Sequence, residues 1–120
     1  RPVFLDLRRI GMPVGALTSI GHRVSGVLLA AGVPLGVYLL GLSLRNEEGW
    51  VEVIRWFASP LFKGVAVILI WAFAHHVLAG IRHLLSDFGV GSSLQSARRS
   101  AWLANFGGLV LAMLATAVIA

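Results

Sequence analysis

The chain has 120 residues, of which 58% are hydrophobic and 12% charged, and its mean hydropathy is +0.86. A soluble domain of ordinary composition carries about 25% charged residues, so this composition predicts a single domain embedded in a membrane. The ten Lys and Arg residues are grouped between apolar runs, which excludes the basic face of a soluble nucleic-acid-binding protein. Because the 120 residues include no cysteine, they form no disulfide, thiolate zinc site or cysteine-ligated iron–sulfur cluster.

Three uncharged runs predict three membrane-spanning helices. The runs cover residues 24–44, 64–81 and 100–120. Since a bilayer core about 30 Å thick needs roughly 20 helical residues, we place the spans at about residues 22–44, 61–83 and 99–120. The predicted fold is therefore an all-α integral membrane protein with one domain over residues 1–120.

The connection between the first two spans predicts a short helix on the membrane surface, over residues Glu48–Phe57. Trp50 and Trp56 suit the aromatic belt at that surface. Pro60 is expected at the start of the second span, where its missing N–H costs nothing. Residues 86–96, rich in Ser and Gly, are expected to connect the second and third spans.

The basic residues predict the orientation of the helices. The segment before the first span and the connection after the second carry seven arginines, against three Lys or Arg residues in the remaining connection. The seven are Arg1, Arg8, Arg9, Arg23, Arg82, Arg98 and Arg99. The positive-inside rule therefore places the N-terminus on the cytoplasmic side and the C-terminus on the opposite side.

Four histidines lie in or beside the predicted spans: His22, His75, His76 and His83. His76 and His83 are seven residues apart and share a helix face at about 10 Å, and Gly80 would leave a shallow groove there for a flat group. Imidazole is a common axial ligand of haem iron, and its other ring N–H usually donates to a carbonyl, here expected from Ala72. Spacing alone leaves two alternatives open, which are haem ligation with a second ligand from a partner chain and hydrogen bonding between helices.

A second polar cluster stands in SIGHRVSG at residues 19–26. Ser19, His22, Arg23 and Gly26 have the spacing of one helical stripe. A quinone carbonyl would accept hydrogen bonds from Ser19 and Arg23, and a haem propionate would pair with His22 or Arg23. The structural alternative is that Arg23 anchors the helix at the membrane surface and Ser19 caps it.

These motifs resemble those of the cytochrome b subunits of succinate dehydrogenase (respiratory complex II), the first of its two small membrane anchors. The matching stretches are RPVFLDL at residues 1–7, SIGHRVSG at 19–26 and HVLAGIRHLLSDFG at 76–89. The three-span layout matches as well, so the resemblance covers nearly the whole chain. The pairing of the second and third stretches is highly specific.

The resemblance implies a shared haem b and a quinone site. His76 would be the axial ligand of the haem iron, with the other ligand supplied by the second membrane-anchor subunit within one helical bundle. His22 and Arg23 would lie on the propionate side of the haem. Ser19 and Arg23 would bind the quinone, which is expected to be ubiquinone, although menaquinone stays open.

The remaining motif residues have less defined expected roles. His75 is expected to pack or hydrogen-bond beside His76. His83 is expected to face a propionate or a proton path, and Asp87 to pair with Arg82 or Arg98.

By this resemblance the chain is a subunit of succinate:quinone oxidoreductase with no catalytic residue of its own. Its expected partners are the flavoprotein and iron–sulfur subunits, the second anchor, membrane lipid and quinone. The expected location is a bacterial inner membrane rather than a mitochondrial one. Two alternatives remain open, which are the anchor of a quinol:fumarate reductase and a haem-free membrane scaffold.

Overall fold

A computed structural model describes residues 13–120, which form four α-helices and no strand. The helices are α1 (Val14–Arg45), α2 (Glu47–Ala58), α3 (Pro60–Asp87) and α4 (Leu94–Ile119). Helices α1, α3 and α4 are long and apolar enough to cross a membrane, which confirms the predicted all-α fold with three spans. The RPVFLDL stretch and Arg1, Arg8 and Arg9 lie outside the described residues.

The long helices extend beyond the uncharged runs that predicted them. Helix α1 has 32 residues and is therefore about 48 Å long at about 1.5 Å per residue, longer than a bilayer core of about 30 Å. Helix α4 begins at Leu94, so the expected connection over residues 86–96 shrinks to residues 88–93. These helices continue through polar residues at their ends. A charge-free run is required only where a helix is in contact with lipid, and not for the helix to form. SIGHRVSG consequently lies well inside α1.

The short helix predicted between the first two spans is confirmed as α2. Asn46 caps it, with its side-chain oxygen accepting from the backbone N–H of Gly49 at 2.7 Å. Trp50 is 54% exposed and Trp56 36%. Pro60 is the first residue of α3, as expected.

The turn between α3 and α4 depends on two glycines. Gly89 and Gly91 have φ angles of 77° and 69°, in the left-handed region that residues other than glycine rarely adopt. Ser93 then caps α4 by accepting from the N–H of Ser96 at 3.2 Å. This tight turn makes α3 and α4 antiparallel neighbours.

Small residues allow α3 and α4 to pack closely. The buried ones are Ala72, Ala74, Ala79, Ala101, Ala104, Gly108 and Ala112. A Cβ at Gly108 would lie 3.1 Å from the Cβ of His75, so α4 approaches the backbone of α3 at that histidine. Close backbone approach is the usual way for helices to associate in lipid, where apolar surface alone gives no preference for a partner helix.

Candidate functional site

Three of the four histidines meet where α1 lies against α3. The rings of His22 and His76 are stacked, with centroids 4.0 Å apart and planes 7° apart. The ring of His83 meets that of His22 edge-on, at a centroid distance of 5.3 Å. All three residues are half-buried. The His22 ring from α1 therefore bridges the two histidines that were predicted to share one face of α3.

The Nδ1 atom of His76 is held by two oxygen atoms of α1. It lies 3.1 Å from the carbonyl oxygen of His22 and 3.2 Å from the hydroxyl oxygen of Ser25. Because a carbonyl oxygen can only accept, Nδ1 carries the proton and donates it. The lone pair of the neutral ring is then on Nε2, the atom available for a metal.

The acceptor for His76 is not the Ala72 carbonyl that the sequence predicted. That carbonyl belongs to the same helix, where the backbone N–H one turn later already binds it. The imidazole reaches α1 instead, because a Cβ at Gly26 would lie 3.2 Å from its Cε1 atom and glycine leaves that space free. Ser25 was not predicted as a partner of His76, although its hydroxyl, three residues after His22 in an uncharged run, was a signal for this contact.

The shallow groove expected at Gly80 is covered by His22. A Cβ at Gly80 would lie 3.6 Å from the His22 Nε2 atom, so the imidazole rests at contact distance on the glycine. A flat group approaching the backbone of α3 at this position first meets the His22 ring.

His75 points away from this cluster, into the interface of α1, α3 and α4. It is 3% exposed, and its Nε2 atom lies 3.4 Å from the carbonyl oxygen of Thr18. The Thr18 hydroxyl donates to the Val14 carbonyl at 2.9 Å and lies 3.1 Å from the Asn105 side-chain oxygen. His75 is thus a packing and hydrogen-bonding neighbour of His76, as expected, whereas the sequence did not predict the contacts of Thr18 and Asn105.

The stripe formed by Ser19, His22, Arg23 and Gly26 has one packed edge and one open edge. His22 and Gly26 contact His76 on α3. Ser19 is half-buried and Arg23 is exposed, and neither side chain forms a hydrogen bond within residues 13–120. Two potential donors therefore stand on the outer surface of α1, beside the histidine cluster.

Arg82 pairs differently from the sequence prediction. Its guanidinium donates to the Ser100 hydroxyl at 3.0 Å and to the Ala97 carbonyl at 3.2 Å, both on α4. Asp87 is exposed at the end of α3, and the described part of the chain contains no ion pair, so its expected pairing with Arg82 or Arg98 is wrong. Five residues separate Arg82 from Asp87, which turns their side chains about 140° apart on the helix.

The chain matches known proteins over most of its length. The family model for the succinate dehydrogenase/fumarate reductase transmembrane subunit covers residues 1–116. The succinate dehydrogenase cytochrome b556 subunit of Coxiella burnetii is 37% identical over an alignment of 116 residues that covers 93% of each chain. The corresponding subunit of Paracoccus denitrificans is 33% identical over 119 residues, covering 95% of this chain and 88% of the relative.

A mitochondrial relative extends the comparison. The succinate dehydrogenase cytochrome b560 subunit of Mus musculus is 34% identical over 108 residues, covering 85% of this chain and 59% of the relative. The bacterial relatives agree with the bacterial inner membrane predicted as the location. The family match, these relatives and the three apolar helices together establish that the chain belongs to the family of succinate dehydrogenase cytochrome b membrane-anchor subunits.

Proposed function

We propose that this chain anchors a succinate:quinone oxidoreductase in the membrane and supplies one axial ligand of a haem b, His76. The observation that carries the proposal is the hydrogen bonding of the His76 Nδ1 atom, which leaves Nε2 as the free lone pair. A ligating histidine usually has its second nitrogen held in this way, which fixes the tautomer and the ring orientation. The cytochrome b names of the relatives support a haem of the b type.

The side chains around His76 fit the other parts of a haem. His22 and His83 offer ring nitrogens beside it, and Arg23 offers a guanidinium one residue after His22. Such donors form charge-assisted hydrogen bonds with propionate carboxylates. The second anchor subunit would supply the other protein ligand of the iron. When bound, haem b would supply a one-electron redox centre within the membrane.

The open edge of the α1 stripe fits a quinone. Ser19 and Arg23 are one helical turn apart and present a hydroxyl and a guanidinium on the outer surface, where a partner subunit would close the pocket. Both groups donate to a quinone carbonyl, which ubiquinone and menaquinone share. With the N-terminus on the cytoplasmic side, this pocket lies near the surface that the flavoprotein and iron–sulfur subunits cover. Electrons from those subunits and protons from the same aqueous phase would reach the quinone there. The names of the relatives favour succinate oxidation over the reverse reaction of a quinol:fumarate reductase.

The haem assignment is tested by a dithionite-reduced minus oxidised spectrum of the complex co-expressed with its partners. We expect a b-type α-band in the wild type and its loss or displacement in His76→Ala. The matched control is Ile81→Ala, which truncates an exposed side chain on another face of the same helix and should retain the band. A band unchanged by His76→Ala would assign the ligand to another residue. A wild-type complex without a band would leave a haem-free anchor.

The quinone assignment is tested by Arg23→Leu. Hydrogen bonds to a charged group are worth about 1.5–3 kcal/mol, so we expect quinone reductase turnover to fall about tenfold or more. Succinate oxidation with a soluble artificial acceptor should stay at the wild-type rate, because the flavoprotein is intact. Arg98→Leu removes an exposed arginine of α4 and serves as the matched control. Wild-type quinone turnover in Arg23→Leu would contradict the assignment.

A further inference from the structure

We infer that Ser25 is a positioning residue for His76, which tunes how strongly the Nε2 atom of His76 donates to a bound iron. The inference rests on the proposed function, because it takes His76 as the axial ligand. It goes beyond that function by giving a role to a residue that neither binds the iron nor lies on the quinone stripe.

Ser25 is fully buried in α1, at 0% exposure. Its hydroxyl donates to the His22 carbonyl at 2.9 Å, a bond within the same helix that already satisfies a serine in lipid. The hydroxyl oxygen nevertheless also lies 3.2 Å from the His76 Nδ1 atom on α3. This second contact is therefore not needed to bury the serine, and its effect falls on the histidine.

Two oxygen atoms share the proton on the His76 Nδ1 atom. The His22 carbonyl oxygen is 3.1 Å away and the Ser25 hydroxyl oxygen 3.2 Å away. Acceptors at this nitrogen draw the proton outward and raise the basicity of the opposite nitrogen. A more basic Nε2 stabilises ferric iron relative to ferrous iron and so lowers the midpoint potential of the couple. Two acceptors on one edge of the ring also fix its plane.

Of these two acceptors, Ser25 is the one that a side-chain change can remove. The His22 carbonyl belongs to the main chain and stays in place whatever residue stands there. Ser25→Ala deletes a single oxygen atom from a buried site, so the helix contact survives with little change in volume. The His76 proton then keeps the carbonyl as its acceptor and loses the hydroxyl.

The test is a redox titration of the b-type α-band in the assembled complex, comparing wild type, Ser25→Ala and Ser25→Thr. We expect Ser25→Ala to retain haem and to favour the ferrous form about threefold, which is about 28 mV of higher midpoint potential at 59 mV per tenfold for one electron. Ser25→Thr keeps the hydroxyl and should stay near the wild-type potential. Ser43→Ala is the matched control, because Ser43 makes the same bond to its own helix, with Leu40 at 2.8 Å, and contacts no histidine.

The possible outcomes separate this inference from the proposed function. An unchanged or lowered potential in Ser25→Ala, with the band present, would overturn the role of Ser25 and leave His76 as the ligand. Loss of haem in both Ser25→Ala and Ser25→Thr would also overturn it, because the site would then be purely structural. A band that survives His76→Ala would overturn the proposed ligand, and the inference would fall with it.

Discussion

The two ends of the helix bundle bury different kinds of side chain. Near the start of α1, the buried residues include three polar side chains, Thr18, Ser25 and His75, packed among small alanines. Near the end of α1, where α2 packs against it, the buried cluster is apolar and contains Leu39, Leu42 and Val53. Because both ends are helical, the two sets of buried side chains can be compared by how they hold neighbouring helices together.

The polar end fixes the helices in defined rotations, whereas the apolar end only holds them together. Apolar side chains pack nearly as well against lipid as against each other, so they impose little register on neighbouring helices. A hydrogen bond such as that between Ser25 and His76 forms at one rotation of each helix and fails at others. The end that buries polar groups is therefore the end at which the packing of the helices has a defined geometry.

The largest effect is expected from Gly21→Ala at the polar end. A Cβ there would lie 2.5 Å from the His75 Nε2 atom, and α4 at Gly108 packs against the Cβ and Cα of the same histidine, which limits how far it can shift. Overpacking of a tight core costs typically 1–3 kcal/mol, and we expect about 3 kcal/mol here, measured by thermal unfolding of the detergent-purified complex. Gly36→Ala is the control on the same helix, since no atom lies within 4 Å of its Cβ position. Equal stability losses in both variants would show that His75 is not confined.

A smaller effect is expected from Leu39→Ala at the apolar end. Leu39 is 6% exposed, and its truncation leaves a cavity beside Val53. We expect a loss of about 2 kcal/mol, the lower end for buried leucine, in the same unfolding measurement. The haem spectrum should stay unchanged, because residues 22 and 39 of one helix are about 25 Å apart. Leu40→Ala, at a residue 59% exposed, is the control. A shifted spectrum in Leu39→Ala would contradict the separation of the two ends.

The smallest effect is expected from Thr18→Val. The substitution keeps the shape of the side chain and removes the hydroxyl that lies between the Val14 carbonyl of α1 and the Asn105 side chain of α4. Hydrogen bonds between membrane helices are worth about 0.6 kcal/mol on average, and we expect a loss of about 1 kcal/mol. Thr116→Val removes a hydroxyl that bonds only to the Ala112 carbonyl of its own helix, and it should lose less. A larger loss at Thr116 would contradict the importance of the contact between helices.

The helices could be predicted from the sequence because charge-free runs and helix boundaries are local signals. Pro60 marked the start of α3, and the residues around Trp50 and Trp56 marked α2. The partners of the histidines could not be predicted in the same way. His75 and His76 are neighbours in sequence, yet one is buried among three helices and the other contacts His22 and Ser25. Which of the two turns inward depends on how α1 and α4 pack on α3, and no spacing within α3 encodes that.

The position of His22 over Gly80 has a consequence for assembly. Gly80 has no side chain, so without the His22 ring α3 would have an empty notch there, and the atoms that line a void lose packing contacts. The imidazole closes the notch with a flat, partly polar ring. On the proposed function, a cofactor entering the bundle exchanges one planar group for another, so the chain is sealed both before and after loading.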